Sequence, residues 1–276
     1  MSTDSPVFLI TGCSSGLGRE LSIAALKRGF RVIATARKVE TLAALEQQGA
    51  KTMYLDVTAS ESELVEFAAK AIAVYGQVDY LVNNAGYLLT GAIEETPRSD
   101  AVHLFTTNFF GLVSTTNAFL PHFRARKTGT IINVSSEAGT LGPPGIGIYA
   151  AAKSAINAVS DSWAHELAEY NIRSVSVQPG GFRTRSGGIK AAEKSIEGYQ
   201  AAHGVIHHIN TTGDTQPGDP AKGAEHIVTF VTDPKHQKLP LRFVLGDEAF
   251  AGIKQAYTQR LADMEATKEW SIGTSF

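Results

Sequence analysis

The chain has 276 residues, of which 43% are apolar and 19% charged, with a formal net charge of -2. That composition suits one large soluble α/β domain and excludes a disordered chain, and the near-neutral balance gives no electrostatic reason to expect nucleic acid or an anionic membrane as partner. The single cysteine, Cys13, excludes an intrachain disulfide, and no stretch is apolar over the length of a membrane span or a signal-peptide core, so a cytosolic protein is the default expectation.

Val7-Phe8-Leu9-Ile10 is a continuous apolar run, the pattern of a strand buried on both faces of a parallel sheet. It leads into Thr11-Gly12-Cys13-Ser14-Ser15-Gly16-Leu17-Gly18 and then a helical pattern from Arg19 to Arg28 that Gly29 stops. A strand at Arg31 to Ala36 completes a βαβ unit. The alternation continues with a helix at Glu40 to Gln48, a strand at Thr52 to Asp56, a helix at Glu61 to Tyr75 and a strand at Asp79 to Val82. A long helix near Ser99 to Arg126 precedes a strand at Gly129 to Val134, and the helix holding Tyr149 and Lys153 precedes one at Ile172 to Gln178. A helix near Ala221 to Val231, a seventh strand at Leu241 to Leu245 and a helix at Glu248 to Ala266 close the chain. This predicts an α/β protein: one doubly wound Rossmann domain, a seven-stranded parallel sheet flanked by helices. Residues 186–219 have no place in the alternation and follow a strand's carboxyl end, so they are expected to form a substrate lid.

Between a buried strand and a helix, glycines at 12, 16 and 18 permit positive φ and close backbone approach, and the helix N-terminus offers free N–H groups to a pyrophosphate. The context points to a dinucleotide. An acid at the end of the second strand would accept from the ribose of NAD; the chain reads Ala36-Arg37-Lys38 instead, and a guanidinium can fork onto the 2′-phosphate of NADP. Asn83-Asn84-Ala85-Gly86 follows the fourth strand at the same carboxyl edge, where small residues let a ribose and diphosphate pass close. Asn108 lies among apolar residues in a helical pattern, as a cross-brace or a holder of ordered water. Ser136 ends a strand, able to position a carbonyl or to cap the loop.

Tyr149 and Lys153, four residues apart, share one face of a helix. A free tyrosine ionises near pH ~10, so acid–base work near neutrality needs about 4 kcal/mol of tuning. An ammonium ~4 Å away at an effective dielectric of ~20 supplies about that much.

In order and spacing, these stretches resemble the classical short-chain dehydrogenase/reductase family. The match runs from Thr11-Gly-x-x-x-Gly-x-Gly18 through Asp56, Asn83-Asn-Ala-Gly86, Asn108, Ser136, Tyr149-x-x-x-Lys153 and Pro179-Gly180 to about Thr184. The resemblance implies an oxidoreductase in which Tyr149 is the general acid or base, Lys153 lowers its pKa, Ser136 steadies the reacting oxygen and Asn108 holds a water leading to Lys153. It implies NADP(H) held by Gly12, Ser14, Ser15, Gly16, Leu17, Gly18, Arg37, Asp56, Asn83, Ala85, Gly86, Tyr149, Lys153, Pro179, Gly180, Phe182 and Thr184. Ser14 and Arg37 would take the 2′-phosphate, Asp56 the adenine and Thr184 the nicotinamide carboxamide. Position 15 is not basic, unlike many NADP-dependent members, which leaves Arg37 with more of the cofactor assignment.

Likeness to members acting on hydroxysteroids and retinoids implies a medium-sized, mainly hydrophobic carbonyl or alcohol substrate, met by Tyr87, Leu88, Leu141, Pro143, Gly145, Phe182 and the 186–219 segment. His203, His207 and His208 in that segment read as solvated loop residues, without metal-site spacing. The family also implies a homodimer or homotetramer. Two other readings keep the same fold: a cyclase or isomerase, and a cofactor-binding sensor that performs no chemistry.

Overall fold

A computed structural model describes residues 5–184, 189–236 and 238–273. In chain order the elements are β1 (Val7–Ile10), α1 (Gly16–Lys27), β2 (Arg31–Ala36), α2 (Ala43–Gln47), β3 (Lys51–Tyr54), α3 (Glu61–Tyr75), β4 (Tyr80–Asn83), β5 (Leu88–Thr90), α4 (Arg98–Phe105), α5 (Gly111–Arg126), β6 (Gly129–Val134) and α6 (Ala138–Leu141). They continue with α7 (Gly147–Glu166), β7 (Ile172–Pro179), β8 (Ile189–Ala191), α8 (Gln200–Thr212), α9 (Pro220–Thr232), β9 (Arg242–Leu245) and α10 (Asp247–Ala266). All seven predicted strands pair in parallel, in the order β3-β2-β1-β4-β6-β7-β9. The order reverses between β1 and β4, and ligands of open α/β sheets bind outside the carboxyl ends at such a reversal.

Alternate residues of the central strands feed opposite cores. Val7, Leu9, Ile33, Leu81 and Ile131 pack with α3, α5 and α7 through Phe67, Phe119, Phe123 and Trp163. Phe8, Ile10, Val32, Ala34, Val82 and Ile132 face the other way, onto α1 and α9 through Leu21, Ala25, Ile227 and Val231. The period of two along a strand turns each apolar run into two buried surfaces, so the sheet needs a helical layer on both faces. Local signals bound those helices. Ser60 accepts from the Glu63 amide, and the Glu63 side chain in turn accepts from the Ser60 amide at 2.9 Å, opening α3; Gly76, at φ +77°, closes it.

Two expectations change in detail. The single helix expected over Ser99 to Arg126 is two helices joined by one π-helical turn at Thr106–Phe110. Thr106 and Thr107 donate their hydroxyls back to the Val102 and His103 carbonyls, at 2.9 and 3.1 Å, and the widened turn carries Asn108 inward. Within the segment expected as a lid, residues 186–188 lie outside the described residues. The remainder holds β8, paired in parallel with β5, and the helix α8.

Candidate active site

Thr11 directly follows β1 and locks the two carboxyl-edge loops together. Its hydroxyl accepts from the Asn84 and Ala85 amides, both at 2.9 Å, while the Asn84 side chain donates to the carbonyls of Thr11 and Gly12. The glycines follow from this closeness. Gly12 sits at φ +72°, where an added Cβ would meet the Ala85 Cα at 2.8 Å. Gly16, at φ +56°, faces the Thr184 side chain. The turn thereby opens onto a cavity of about 1060 Å³ that runs from Gly12, Ser14, Ser15, Gly16, Leu17 and Arg37 past Asp56 and Ala85 to Ser136, Tyr149 and Lys153. Pro179, Gly180, Phe182 and Thr184 also line it, as do Tyr87, Leu88, Leu141 and Pro143.

The helix α7 starts at Gly147 and brings Tyr149 and Lys153 to one face beside the end of β6. The Lys153 ammonium donates to the Val134 carbonyl at 2.7 Å and lies 5.6 Å from the Tyr149 ring centre. The Ser135 hydroxyl ties down the Lys153 carbonyl at 2.9 Å, and the Ala138 amide bonds to Ser136 Oγ at 3.2 Å. Burial pushes the Tyr149 phenol up to about 12; the Ser136 hydrogen bond draws it partly back, and the Glu137 charge adds to the rise. Burial also brings Lys153 down to about 8. Desolvation is the largest cause of the shift at both side chains.

The short chain dehydrogenase family profile matches residues 6–194, more than half of the chain. The chain belongs to the short-chain dehydrogenase family. Oxidoreductase BOA17 from Botryotinia fuckeliana is 33% identical over 98% of this chain and 99% of its own length. A short-chain dehydrogenase structure from Streptomyces avermitilis is 36% identical and superposes over the whole of both chains with a TM-score of 0.91. A structure of ElxO with NADP bound superposes with a TM-score of 0.71 at 27% identity, covering 87% of this chain and 96% of that one.

Several predicted positions of this dehydrogenase lie off the cavity. Asn83 is buried, and its amide donates to Thr116 Oγ1 and Asn133 Oδ1, both at 2.8 Å, so its side chain braces β4 against β6 and α5. Its neighbour Asn84 reaches the cavity instead. Gly18 lies behind the turn, with space for an added Cβ closed by Asn84 Nδ2 at 2.4 Å and the Gly12 carbonyl at 2.5 Å. Asn108 accepts from the Tyr87 amide at 3.0 Å and donates to the Tyr87 carbonyl at 2.8 Å, so its side chain serves as a cross-brace of the loop after β4. Gly145, at φ +79°, admits α8 rather than substrate: an added Cβ would meet the Ala202 carbonyl at 2.6 Å.

Glu137, His103 and Glu248 reach the cavity without any signal in the sequence reading, and Asn84 of the Asn83–Gly86 stretch and Val205 and Ile209 of the 186–219 segment join them. Val205 and Ile209 fall, with Ala202 and Ile206, on one stripe of α8 at offsets of three, four and seven, a helical pattern that was present in the sequence. The histidines 203, 207 and 208 all lie on this helix rather than in a loop, and His208 faces the cavity.

Glu95 anchors α8 over the cavity. Its buried carboxylate accepts from the Ala92 amide at 2.8 Å, the Ile196 amide at 2.7 Å and His203 Nε2 at 2.7 Å. Tyr199 donates to Glu94 at 2.5 Å, and Lys190 to Asp100 at 2.7 Å. The hydrogen bonds from the Ile196 and Ala92 amides, helped by His203, hold the Glu95 carboxyl down at about 2, against an ordinary 4.5. A group with a depressed folded pKa stabilises the fold above its unfolded pKa and stops doing so as the pH falls through the folded one. Glu95→Gln is expected to lower the melting temperature at neutral pH by a few degrees, with the gap to wild type closing as the pH falls from 4.5 towards 2. Thermal melts of both proteins over that range check it; a gap independent of pH would remove the Glu95 charge from the account.

Proposed function

We propose that the protein is an NADPH-dependent reductase of ketones or aldehydes, reversible as an alcohol dehydrogenase. The observation that carries this is the convergence of Ser136, Tyr149 and Lys153 on one cavity with a glycine cradle at its other end. The cradle fits a dinucleotide, since the space beside Gly12 is closed to a Cβ by Ala85, and backbone lines the passage where a diphosphate must run close. The binding of NADP by ElxO, whose fold this chain shares, supports the same assignment.

The nicotinamide cofactor supplies the hydride when bound. Tyr149 Oη gives its proton to the carbonyl oxygen in reduction and takes one from the alcohol in oxidation. Ser136 Oγ donates a hydrogen bond to that oxygen and holds it facing the phenol. Lys153, positively charged below about 8, holds a favourable charge beside the tyrosine. Thr184 and the Pro179–Gly180 turn orient the nicotinamide end, Ser14 and Arg37 hold the 2′-phosphate, and Asp56 holds the adenine. The cavity lining, with Leu88, Leu141, Pro143, Val205 and Ile209, favours a medium-sized substrate with apolar surface.

Arg37 makes no ion pair among the described residues and lines the cavity at the end of β2, where NAD enzymes place an acid. Charge-assisted hydrogen bonds are worth ~1.5–3 kcal/mol, so Arg37→Ala is expected to weaken NADPH binding roughly 10- to 100-fold while changing NADH binding little. Dissociation constants for both cofactors on both proteins decide the matter. Equal losses for NADH and NADPH would sink the 2′-phosphate assignment.

A further inference from the structure

The residue after Ser136 carries a second chemical signal. Glu137 opens α6: its amide donates to the Pro179 carbonyl at 3.0 Å, and its own carbonyl accepts from Thr140 and Leu141 at 2.9 Å. These backbone bonds fix the residue at the carboxyl end of β6 and send its side chain over Gly180, where an added Cβ would lie 3.4 Å from Oε2. There it lines the cavity together with Ser136, Tyr149 and Leu141.

The carboxyl of Glu137 is half-buried, yet it makes no hydrogen bond and no ion pair among the described residues. The nearby cations are directed elsewhere. Lys153 donates to the Val134 carbonyl, Lys190 is paired with Asp100, and Arg260 donates to the Thr140 carbonyl. Arg37 follows β2, three strand positions from β6 in the sheet and so roughly 14 Å away. Glu248, at the start of α10, faces the same space, and its like charge, added to burial, raises the Glu137 pKa. A half-buried carboxylate that the protein leaves unpaired, beside the proposed proton donor, lacks a donor group that a ligand can supply.

We propose that Glu137 is a specificity-determining residue that selects carbonyl substrates bearing a hydrogen-bond donor, hydroxyl or ammonium, close to the reacting carbon. The proposal rests on the reductase reading above and names the substrate class within it. Beside the apolar side chains of Leu88, Leu141, Pro143, Val205 and Ile209, this carboxylate then distinguishes hydroxy or amino ketones from plain ketones of the same skeleton, because binding a plain ketone leaves it without a partner. A hydroxyl needs only an acceptor, whereas an ammonium also needs the negative charge, and this difference separates the two donors experimentally.

The test measures kcat/KM with NADPH for three matched substrates, a plain ketone, its α-hydroxy analogue and its α-amino analogue, on wild type, Glu137→Gln and Glu137→Leu. Wild type is expected to favour a donor-bearing ketone over the plain one by roughly 10- to 100-fold, the range of one charge-assisted hydrogen bond. Glu137→Leu is expected to bring that ratio to about one. Glu137→Gln, which still accepts a hydrogen bond, keeps the ratio where the donor is a hydroxyl and loses it where it is an ammonium. Ratios within one variant cancel any general loss of folded enzyme. The same ratio in wild type and Glu137→Leu overturns the proposal, as does a loss of NADPH affinity in both variants, which would turn the carboxylate towards the cofactor. A wild type that reduces no carbonyl on a broad panel defeats the reductase reading and this proposal with it, whereas turnover with unaltered ratios defeats this proposal alone.

Discussion

Tyr149→Phe is expected to lower carbonyl reduction roughly 10²- to 10⁴-fold, the usual contribution of a positioned general acid. The change removes one oxygen and leaves the ring packed against the cluster of Ala138, Ile146 and Ala150. Lys153 keeps its bond to Val134, and the glycine cradle at the other end of the cavity is untouched. NADPH affinity and melting temperature should therefore stay close to wild type. Steady-state kinetics beside a cofactor titration check both halves, and full activity in the variant would remove Tyr149 from the chemistry.

The pH dependence sharpens the same point. With the phenol at about 12 and Lys153 at about 8, alkaline titration of the free protein deprotonates the lysine first. A proton donor works only while it holds its proton, and Tyr149 still does so between those values. A fall in kcat/KM for reduction above about 8 is therefore expected to report loss of the Lys153 positive charge.

The parts of the site that could be read from the sequence are those written as short spacings. Tyr149 and Lys153 share a helix face because they are four apart, and Gly12, Gly16 and Gly18 are meaningful because a buried strand precedes them and a helix follows. Across the sheet, continuous apolar runs revealed the central strands because these are buried on both faces, whereas the exposed edge strand Lys51–Tyr54 lies about one residue earlier than its pattern implied. Asn83 and Asn84 show where such reading stops. Adjacent strand-end residues point to opposite faces, and composition does not say which of two asparagines turns inward. Glu248 carried no local signal, being more than a hundred residues from Glu137 and brought beside it only by β9 and α10. The α8 stripe was legible but masked by the Gly, His and Thr residues around it. Asn108 looked anomalous in a helical pattern because a π turn, which no helical periodicity anticipates, carries it to Tyr87.

Gly18→Ala is expected to be more harmful to cofactor binding than its place behind the cavity suggests. In an ordinary helix the exchange would stabilise by about 1 kcal/mol. Here the new Cβ would stand 2.5 Å from the Gly12 carbonyl and 2.4 Å from Asn84 Nδ2. The first is backbone of the cradle itself, and the second is the amide that bonds the Thr11 and Gly12 carbonyls. Overpacking costs ~1–3 kcal/mol, and displacing the Asn84 amide forfeits two hydrogen bonds of ~1 kcal/mol each. The penalty outweighs the propensity gain, for a net loss of roughly 2–4 kcal/mol. Because α1 must shift against the turn, the loss should appear as weaker NADPH binding as well as a lower melting temperature. Adding Asn84→Ala separates the two contacts: it opens the side-chain clash but not the backbone one. The double variant should therefore be less damaged than the sum of the single changes, yet still bind NADPH more weakly than Asn84→Ala alone. Wild-type NADPH affinity in Gly18→Ala would show that the turn yields to a methyl group, and the close approach of α1 would then not be what shapes the cradle.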